Sequence, residues 1–304
     1  MTFEALTQSP PAALALWQAD LAGLRFGSGT PYGWRTRSGF RELPGIRNQD
    51  EARTWADGVW PGDDLAEDRV LSWELLIQEN GDAFDQAVLA YERVMVPIRD
   101  GHSLAPLWAH IPGRGPVRWD VRCRRHAILD EPELYAIGRA RALAQMSAPD
   151  PIGYGPGSVA STGFAQQQGG LEFDLFTNGT EGVGYLDFGP AGSTGRNRVR
   201  NDGNAPLWVS HRITGPTPTS GFEIVDTTTG RRLRYAGVVP AGSVLDIDTG
   251  DGSVTLDGVA DRGGALAVRE WGSVPAGSST EFAFLPLSSA TGAVMQTAYA
   301  SAWW

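Results

Sequence analysis

The spacing closest to that of a metal site belongs to Asp246, Asp248, Asp251 and Asp257. Alternating carboxylates of this kind are typical of an EF-hand calcium loop. The fifth position is Gly250 and the sixth is Asp251, however, whereas an EF-hand has an oxygen ligand followed by glycine there. The segment also lies between two short stretches in which apolar and polar residues alternate. A hairpin turn is therefore favoured over a calcium loop, and we predict no metal site.

Other reactive side chains lack the spacing of a catalytic centre. The histidines, which show neither H-x-x-x-H nor H-x-H spacing, are His102, His110, His126 and His211. Cys123 is the only cysteine, so the chain can form neither an internal disulfide nor a cysteine zinc site, and folding in a reducing compartment is implied. Ser193 follows Ala-Gly and does not lie in a G-x-S-x-G elbow. We expect no enzyme activity and no cofactor.

Tryptophans in the second half of the chain allow two interpretations. Trp208, Trp271, Trp303 and Trp304 could stack on sugar rings, as the tryptophans of a carbohydrate-binding module do. Buried aromatic rings of a β-sandwich and a terminal strand that docks into the core explain them as well. Trp208 and Trp271 are retained as candidate sugar-stacking residues.

Arginines account for all 25 basic residues, and this bias is typical of a GC-rich genome. Two segments alternate arginines with apolar residues, and the arginines concerned are Arg118, Arg122, Arg124, Arg139 and Arg141. If both segments are strands, these arginines share one surface of the N-terminal half. That surface would be a subunit interface or would line a lumen. The alternative is a solvated face with ion pairs within the chain.

Charge and hydropathy exclude several classes of protein. The formal net charge of −10 argues against nucleic-acid binding, since phosphates require a basic surface. No segment reaches the roughly 18 apolar residues that a membrane-spanning helix needs, and the N-terminus lacks the basic start of a signal peptide. With 41% hydrophobic residues and 39 glycines, the chain is predicted to fold into a turn-rich protein.

Residue periodicity predicts the elements of the first half. Alternation over residues 69–78 predicts a strand with Leu71, Trp73, Leu75 and Ile77 on one face. A helical stripe follows, formed by Phe84, Ala87, Val88, Tyr91, Val94 and Met95. Asp82 is the expected N-cap and Pro97 the expected end of this helix. Residues 117–123 alternate again, whereas the composition of residues 139–146 favours a helix although their alternation fits a strand.

A change in composition near residue 152 divides the chain. Residues 147–157 hold three prolines and three glycines, which is the strongest linker signal in the sequence. We predict an N-terminal domain at 1–152 and a C-terminal domain at 160–304. The second half shows short alternations separated by turn residues, which predicts a β-sandwich. Its expected strands lie at 171–175, 222–225, 233–235, 245–247, 254–256 and 282–284.

The order of short motifs along the chain resembles that of phage distal tail proteins, the minor tail proteins at the tip of long non-contractile tails, from phages of high-GC bacteria. The motifs are LRFG at 24–27, LPGIR at 43–47, APDP at 148–151, GGL at 169–171, NDGNAPLW at 201–208, ITGP at 213–216, LDIDT at 245–249 and VTLDG at 254–258. They cover nearly the whole chain. The resemblance also places a strand at 139–146, and we adopt that assignment.

This resemblance implies a mainly β fold with an N-terminal barrel-like ring domain that carries a helix. A galectin-like or carbohydrate-module-like sandwich would follow. It further implies a homo-hexameric ring, made in the host cytoplasm and incorporated into the virion, which joins the tail tube protein to the tail tip or hub protein. A lectin-like protein that binds a host surface glycan through its sandwich is the alternative. A glycan-processing enzyme is disfavoured, because no acid/base pair of carboxylates stands out.

Overall fold

The structure is a computed structural model, and it describes residues 2–11, 14–97, 100, 103–165, 193–289 and 292–304. These residues form two compact units. The N-terminal unit comprises the described parts of 9–156 together with 203–205 and 301–304. The C-terminal unit comprises those of 1–8, 157–202 and 206–300. The predicted domain ranges, 1–152 and 160–304, stay a prediction. The two units differ from these ranges because residues 203–205 and 301–304 belong to the N-terminal unit and residues 1–8 belong to the C-terminal unit.

Elements are numbered along the chain. In the N-terminal unit the strands are β1 (Ala19–Leu21), β2 (Leu24–Phe26), β3 (Tyr32–Ser38), β4 (Ile46–Arg47), β5 (Glu51–Ala52), β6 (Val59–Trp60), β7 (Leu65–Ala66), β8 (Arg69–Gln78), β9 (Ala105–Ile111), β10 (Gly115–Leu129), β11 (Arg139–Ala148), β12 (Gly153–Tyr154) and β24 (Ala302–Trp303). The helices of this unit are α2 (Asp82–Val94) and α3 (Pro132–Tyr135).

One antiparallel sheet runs through the N-terminal unit in the order β2-β1-β9-β10-β11-β8-β3. The long strand β10 joins its two parts, because residues 115–121 pair with β9 and residues 122–129 pair with β11. The register of the second ladder shifts between Cys123 and Arg125. β12 lies inside the predicted linker and pairs with both β10 and β24.

The strands predicted at 69–78 and 139–146 are confirmed. In β8 the residues Leu71 and Trp73 are buried, and the intervening residues are partly exposed. In β11 the inward positions are small, with Ala140, Ala142 and Ala144 buried. β11 pairs with β8 along its whole length and with β10 on its other side. Ladder bonds on both edges outweigh the local helix preference of alanine and arginine.

Helix α2 confirms the helical stripe predicted after β8. Phe84, Ala87 and Tyr91 are buried and contribute to the aromatic core of the unit. The expected N-cap, Asp82, is instead the first helical residue. Gly81 is the N-cap, with φ of 54°, and it makes no side-chain capping bond. The helix ends at Val94, before Pro97.

Residues 45–67, between β3 and β8, form a hairpin that we call the arm. β4 pairs with β7 at its base, and β5 pairs with β6 nearer its tip. Every residue from Gly45 to Leu65 is exposed. No strands were predicted here from the sequence.

The C-terminal unit contains α1 (Phe3–Leu6), β13 (Ser158–Gly163), β14 (Arg196–Arg200), β15 (Ser210–Thr214), β16 (Phe222–Asp226), β17 (Arg232–Tyr235), β18 (Val244–Asp248), β19 (Val254–Leu256), β20 (Ala260–Asp261), a 3-10 turn (Gly263–Ala265), β21 (Leu266–Arg269), β22 (Ser279–Pro286) and β23 (Val294–Tyr299). One sheet has the order β13-β23-β15-β18-β19-β20, and the other has the order β14-β22-β16-β17-β21.

These two sheets confirm the mainly β, sandwich-like architecture predicted from the sequence. β16 and β17 form the hairpin expected around residues 227–230, with Phe222 opposite Tyr235. β18 and β19 form the hairpin expected around residues 249–252, with Leu245 opposite Leu256. The strand expected at 171–175 and the motif at 169–171 lie outside the described residues.

Short segments from the two chain ends complete the units. α1 packs in the C-terminal unit, where Glu4 pairs with Arg212 and the Arg212 guanidinium lies 4.1 Å from the ring centre of Phe3. β24 pairs with β12 in the N-terminal unit, and Arg114 Nη1 donates to the Trp304 carbonyl at 2.8 Å. No helix in the described part of the chain is long and apolar enough to span a membrane.

Candidate functional site

The arginines predicted to share one surface are Arg118, Arg122, Arg124, Arg139 and Arg141. The structure does not bring all five together. Arg118 is only 2% exposed and belongs to the interior, which corrects its placement on the surface. Arg122 lies opposite Ser147 at one end of the ladder between β10 and β11, whereas Arg141 lies opposite Leu129 at its other end. Their role at an interface or lumen remains a prediction.

Arg118 is held in a buried polar cluster. Its Nε lies 3.4 Å from Asp120 Oδ1. Burial lowers the pKa of Arg118, and burial also raises the pKa of Asp120. Tyr154 donates its hydroxyl to Asp150 Oδ2 at 2.8 Å beside them. In this cluster the charge of Arg118 is paired inside the protein. The alternating pattern did not predict the burial of Arg118, because a strand that is covered on both faces also buries the side chains of its second face.

Arg141 makes ion pairs within the chain. Its Nε donates to Glu74 Oε1 at 2.8 Å, and its Nη1 donates to Glu131 Oε1 at 3.1 Å. The hydrogen bond from Arg141 lowers the pKa of Glu74. Arg35 Nε lies 3.3 Å from the same Glu74 oxygen. Arg141 thus lies on a solvated face and forms ion pairs within the chain, which was the alternative to an interface.

The register shift in β10 explains why Arg124 does not continue the outward row. Cys123 lies opposite Met146, and the next paired residue, Arg125, lies opposite Gln145. The extra residue in β10 leaves Arg124 without a partner on β11, which is the signature of a β-bulge. Arg125 therefore takes the outward position. Arg125 was not among the predicted outward arginines, because an unbroken period of two places Arg124 in that position.

A groove of about 480 Å³ lies beside Arg125 on the face formed by β3, β8, β10 and β11. Its lining comprises Thr36, Arg37, Ser38, Ser72, Trp73, Arg125, Leu143, Ala144 and Gln145. No acidic residue is among them. Trp73 and Ala144 belong to the buried core of the unit. The Arg37 guanidinium lies 3.5 Å from the ring centre of Trp17, and burial lowers its pKa.

The arm carries the most exposed aromatic side chains in the described residues. Trp55, at its tip, is 96% exposed, and Trp60 on β6 is 61% exposed. Leu43, just before the arm, is 70% exposed. Large exposed apolar side chains of this kind make the arm a candidate interaction surface.

Trp208 and Trp271, the candidate sugar-stacking residues, flank one turn of the C-terminal unit. A Cβ atom placed on Gly250 would lie 3.3 Å from Trp208 Cβ, and one placed on Gly252 would lie 3.4 Å from Trp271 Cζ2. Both tryptophans are half-buried. The structure thus brings the two residues to the same hairpin, between β18 and β19. Sugar stacking by them remains a prediction.

A buried polar chain connects the two sheets of the sandwich. His211 on β15 is fully buried, and its Nδ1 lies 2.9 Å from Thr297 Oγ1. Asn197 on β14 donates to the same Oγ1 at 3.1 Å. Burial lowers the pKa of His211 to about 3, so the ring is neutral and serves the structure.

The remaining candidates for chemistry stay apart. Among the described residues, no group of three or more His, Cys, Asp or Glu side chains is placed to hold a metal ion. His110 Nδ1 lies 2.9 Å from the Leu14 carbonyl, and His102 lies outside the described residues. Burial raises the pKa of the Cys123 thiol. In the turn between β18 and β19, Asp248 Oδ1 accepts a backbone bond from Gly250, as the hairpin reading requires.

No protein-family model and no curated protein matches this sequence. The fold, in contrast, is similar to that of a solved structure, the Dit protein of phage SPP1, described as a paradigm of the hub adsorption apparatus in phages that infect Gram-positive bacteria. The TM-score is 0.62 at 12% identity, and the match covers 95% of this chain and 99% of the Dit chain. This chain therefore has a Dit-like fold, as its motifs had indicated.

Two structures of the phage p2 baseplate in its activated conformation, with strontium and with calcium, match at TM-scores of 0.47 and 0.46. Identity is 11% and 10%, and each match covers 93% of this chain and 98% of the other. At these scores they carry no argument about the fold. The expected origin in a phage of high-GC bacteria gains no support from these comparisons.

Proposed function

We propose that this protein is a structural component of a phage tail tip, a distal tail protein that joins the tail tube to the tip or baseplate. The observation that carries the proposal is the Dit-like fold, which extends over 95% of this chain. In this role the protein is part of the virion and performs no catalysis. Its proposed partners are the tail tube protein, the tail tip or hub protein, and further copies of itself.

A closed ring, with six copies as the sequence resemblance implies, is the proposed form of assembly. Cyclic rings need two different surfaces on each subunit, because each contact is head-to-tail. The exposed arm of the N-terminal unit, with Trp55 and Trp60, is a candidate for one of these surfaces. The formal net charge of −10 gives no support to direct binding of DNA.

The first test is the mass of the protein in solution, measured by light scattering over a concentration series and followed by negative-stain imaging. A hexamer has six times 32.6 kDa, or about 196 kDa, and should appear as a ring with an open centre. If the protein stays monomeric, the measurement is repeated with the tail tube protein and the hub protein. Failure to assemble with either would overturn the proposal.

Glycan binding by the C-terminal unit is the second candidate, favoured by the position of Trp208 and Trp271 beside the turn of one hairpin. Aromatic stacking is the usual means by which proteins hold the apolar face of a sugar. A glycan array tests the idea, with Trp271→Ala as the variant. Binding that is absent, or that is unchanged in the variant, would remove this candidate.

A further inference from the structure

Three arginines lie around the turn between β9 and β10, and they are called the arginine cluster: Arg37, Arg41 and Arg114. Arg114 belongs to the turn itself, which comprises residues 112–114. Arg41 Nη2 donates to the Pro112 carbonyl of this turn at 3.4 Å. Burial lowers the pKa of Arg37 and of Arg114, and the positive charge of Arg41 lowers both further. Like charges act on each other in this way at short range, so the three guanidinium groups are neighbours.

Tryptophan rings fix the position of two members of the arginine cluster. The Arg37 guanidinium lies 3.5 Å from the ring centre of Trp17 and 5.7 Å from that of Trp34. The Arg114 guanidinium lies 5.2 Å from the ring centre of Trp303. An aromatic ring contacts the face of a guanidinium, whereas the N–H donors point outward in its plane. The rings therefore hold the arginines and leave their donors available.

Acidic side chains do not neutralise the arginine cluster. The chain has 35 acidic residues, yet none of those in the described part forms an ion pair with a cluster arginine. The Arg37 guanidinium also makes no hydrogen bond with the described residues, and that of Arg114 makes one, from Nη1 to the Trp304 carbonyl at 2.8 Å. On the outer sheet face, in contrast, Arg141 has two carboxylate partners. The cluster thus combines three positive charges with few bonds to its own chain.

Arg69 anchors the chain just before the arm and adds a buried positive charge close to Arg114. Its side chain is 1% exposed, and Nη1 donates to the carbonyls of Gly39 and Glu42 at 2.6 and 2.7 Å. Nε donates to the Pro151 carbonyl at 2.6 Å. Burial lowers the pKa of Arg69 to about 10, and the charge of Arg114 contributes to this. The Glu42 carboxylate acts in the opposite direction, but its Oε2 already accepts a hydrogen bond from the Gly39 amide at 2.7 Å.

The arginine cluster has the properties of an anion site. Holding like charges together costs free energy, and this cost falls when an anion binds between them. Arginine suits such a ligand, because its planar fork donates two parallel hydrogen bonds to a phosphate or a carboxylate. Arg41 is exposed, and Arg37 and Arg114 are half-buried. A ligand can therefore reach all three side chains from solvent.

We propose that the arginine cluster binds an oxyanion, a phosphate or carboxylate group held between Arg37, Arg41 and Arg114. The site goes beyond the proposed function, because binding of an anion to a single copy does not depend on assembly. A free phosphate ion and a carboxylate carried by a neighbouring protein offer the same chemistry. The experiments establish the site first and then distinguish these two sources.

The first experiment titrates the full-length protein with inorganic phosphate at low chloride in a calorimeter. We expect one phosphate per chain, and we expect Arg37→Gln and Arg41→Gln each to weaken binding by about tenfold or more, since each removes charge-assisted hydrogen bonds. Arg37→Lys keeps the charge and loses the planar fork, so it should recover only part of the affinity. Added sodium chloride should weaken binding by screening the charges.

A matched control comes from the C-terminal unit. The Arg200 side chain is 73% exposed, and Arg200→Gln removes one positive charge far from the cluster in sequence. This variant should bind phosphate as the wild type does. Thermal unfolding establishes that each variant is folded, and Arg41→Gln keeps the test valid if Arg37→Gln is not, because Arg41 is exposed.

A second experiment locates the anion by chemical labelling. Phenylglyoxal modifies accessible arginines, and mass spectrometry of the digested protein measures the rate at each position. Phosphate should slow the labelling of Arg37, Arg41 and Arg114 and leave that of Arg200 unchanged. Absence of phosphate binding, binding that persists in both glutamine variants, or equal protection of Arg200 would overturn the site.

The source of the oxyanion follows from a third measurement, the mass of the protein in solution with and without phosphate at constant ionic strength. Phosphate that binds and also dissociates the assembly assigns the site to a carboxylate of a neighbouring copy. Phosphate that binds and leaves the mass unchanged assigns it to a free anion. Failure of the chain to assemble would overturn the proposed function alone, since the titration and the labelling test the site on single copies.

Discussion

The N-terminal unit holds aromatic side chains out in solvent on its arm and keeps arginines beside an open groove. The C-terminal unit instead encloses its polar chain between two sheets, with His211 and Asn197 buried. In the first unit large apolar side chains are exposed to solvent. In the second the buried polar groups satisfy each other. If the proposed ring forms, we expect its subunit contacts to involve the first unit, whereas the second is stabilised by its own interior.

Removal of the anchor before the arm should have the largest effect. We expect Arg69→Met to lower the free energy of unfolding of the N-terminal unit by about 3 to 5 kcal/mol, because three carbonyls, one buried and two partly buried, lose their donor. Urea denaturation followed by tryptophan fluorescence measures the change. Arg200→Met is the control and should stay within about 0.5 kcal/mol of the wild type, since that side chain is exposed. A similarly small change for Arg69→Met would refute the anchoring role.

Acid should weaken the C-terminal unit through His211. Burial holds the pKa of this residue at about 3 when folded, below its ordinary value of 6.5. Between these two values His211 is protonated in the unfolded chain and neutral in the folded chain. The free energy of unfolding therefore falls as the pH drops below 6.5, and it continues to fall toward pH 3. Between pH 7 and pH 4 the loss should be about 3 kcal/mol.

The control for this pH dependence is His211→Gln, which retains a hydrogen-bonding group for Thr297 and cannot titrate. Carboxylates contribute equally to both proteins, so the difference between their stability curves isolates the histidine. Equal slopes for the two proteins in this pH range would contradict a neutral buried His211.

The smallest effect is expected for the ion pairs on the outer sheet face. Arg141→Ala should lower the stability only slightly at low salt and still less at high salt, because the ion pairs are exposed to solvent and screened. Thermal unfolding at two salt concentrations measures this. A loss of ring formation in this variant, without a loss of stability, would instead assign Arg141 to the subunit contact.

Local periodicity predicted those elements whose register is regular. Residues 69–78 alternate without interruption, and β8 has those bounds. The hairpins around residues 227–230 and 249–252 carry their own turn chemistry, so they too were predictable. Helix α2 was predicted as well, although its N-cap is Gly81 and not the predicted Asp82.

The features that sequence reasoning missed depend on long-range contacts. The bulge that brings Arg125 outward exists because β10 pairs with β9 in one half and β11 in the other. The arm has little apolar periodicity, because neither of its faces is covered. Burial of Arg118 follows from β12 and β9, which pair with it from distant parts of the sequence. None of these partners can be identified from a window of neighbouring residues.

The position of β24 bears on how the chain folds as it is synthesised. Residues 301–304 complete the N-terminal unit by pairing with β12, yet the ribosome makes them after residues 157–300. Domains generally fold in the order of synthesis. Here the first unit receives its final strand after the second has been translated. A nascent chain that lacks residues 301–304 therefore has an incomplete N-terminal unit.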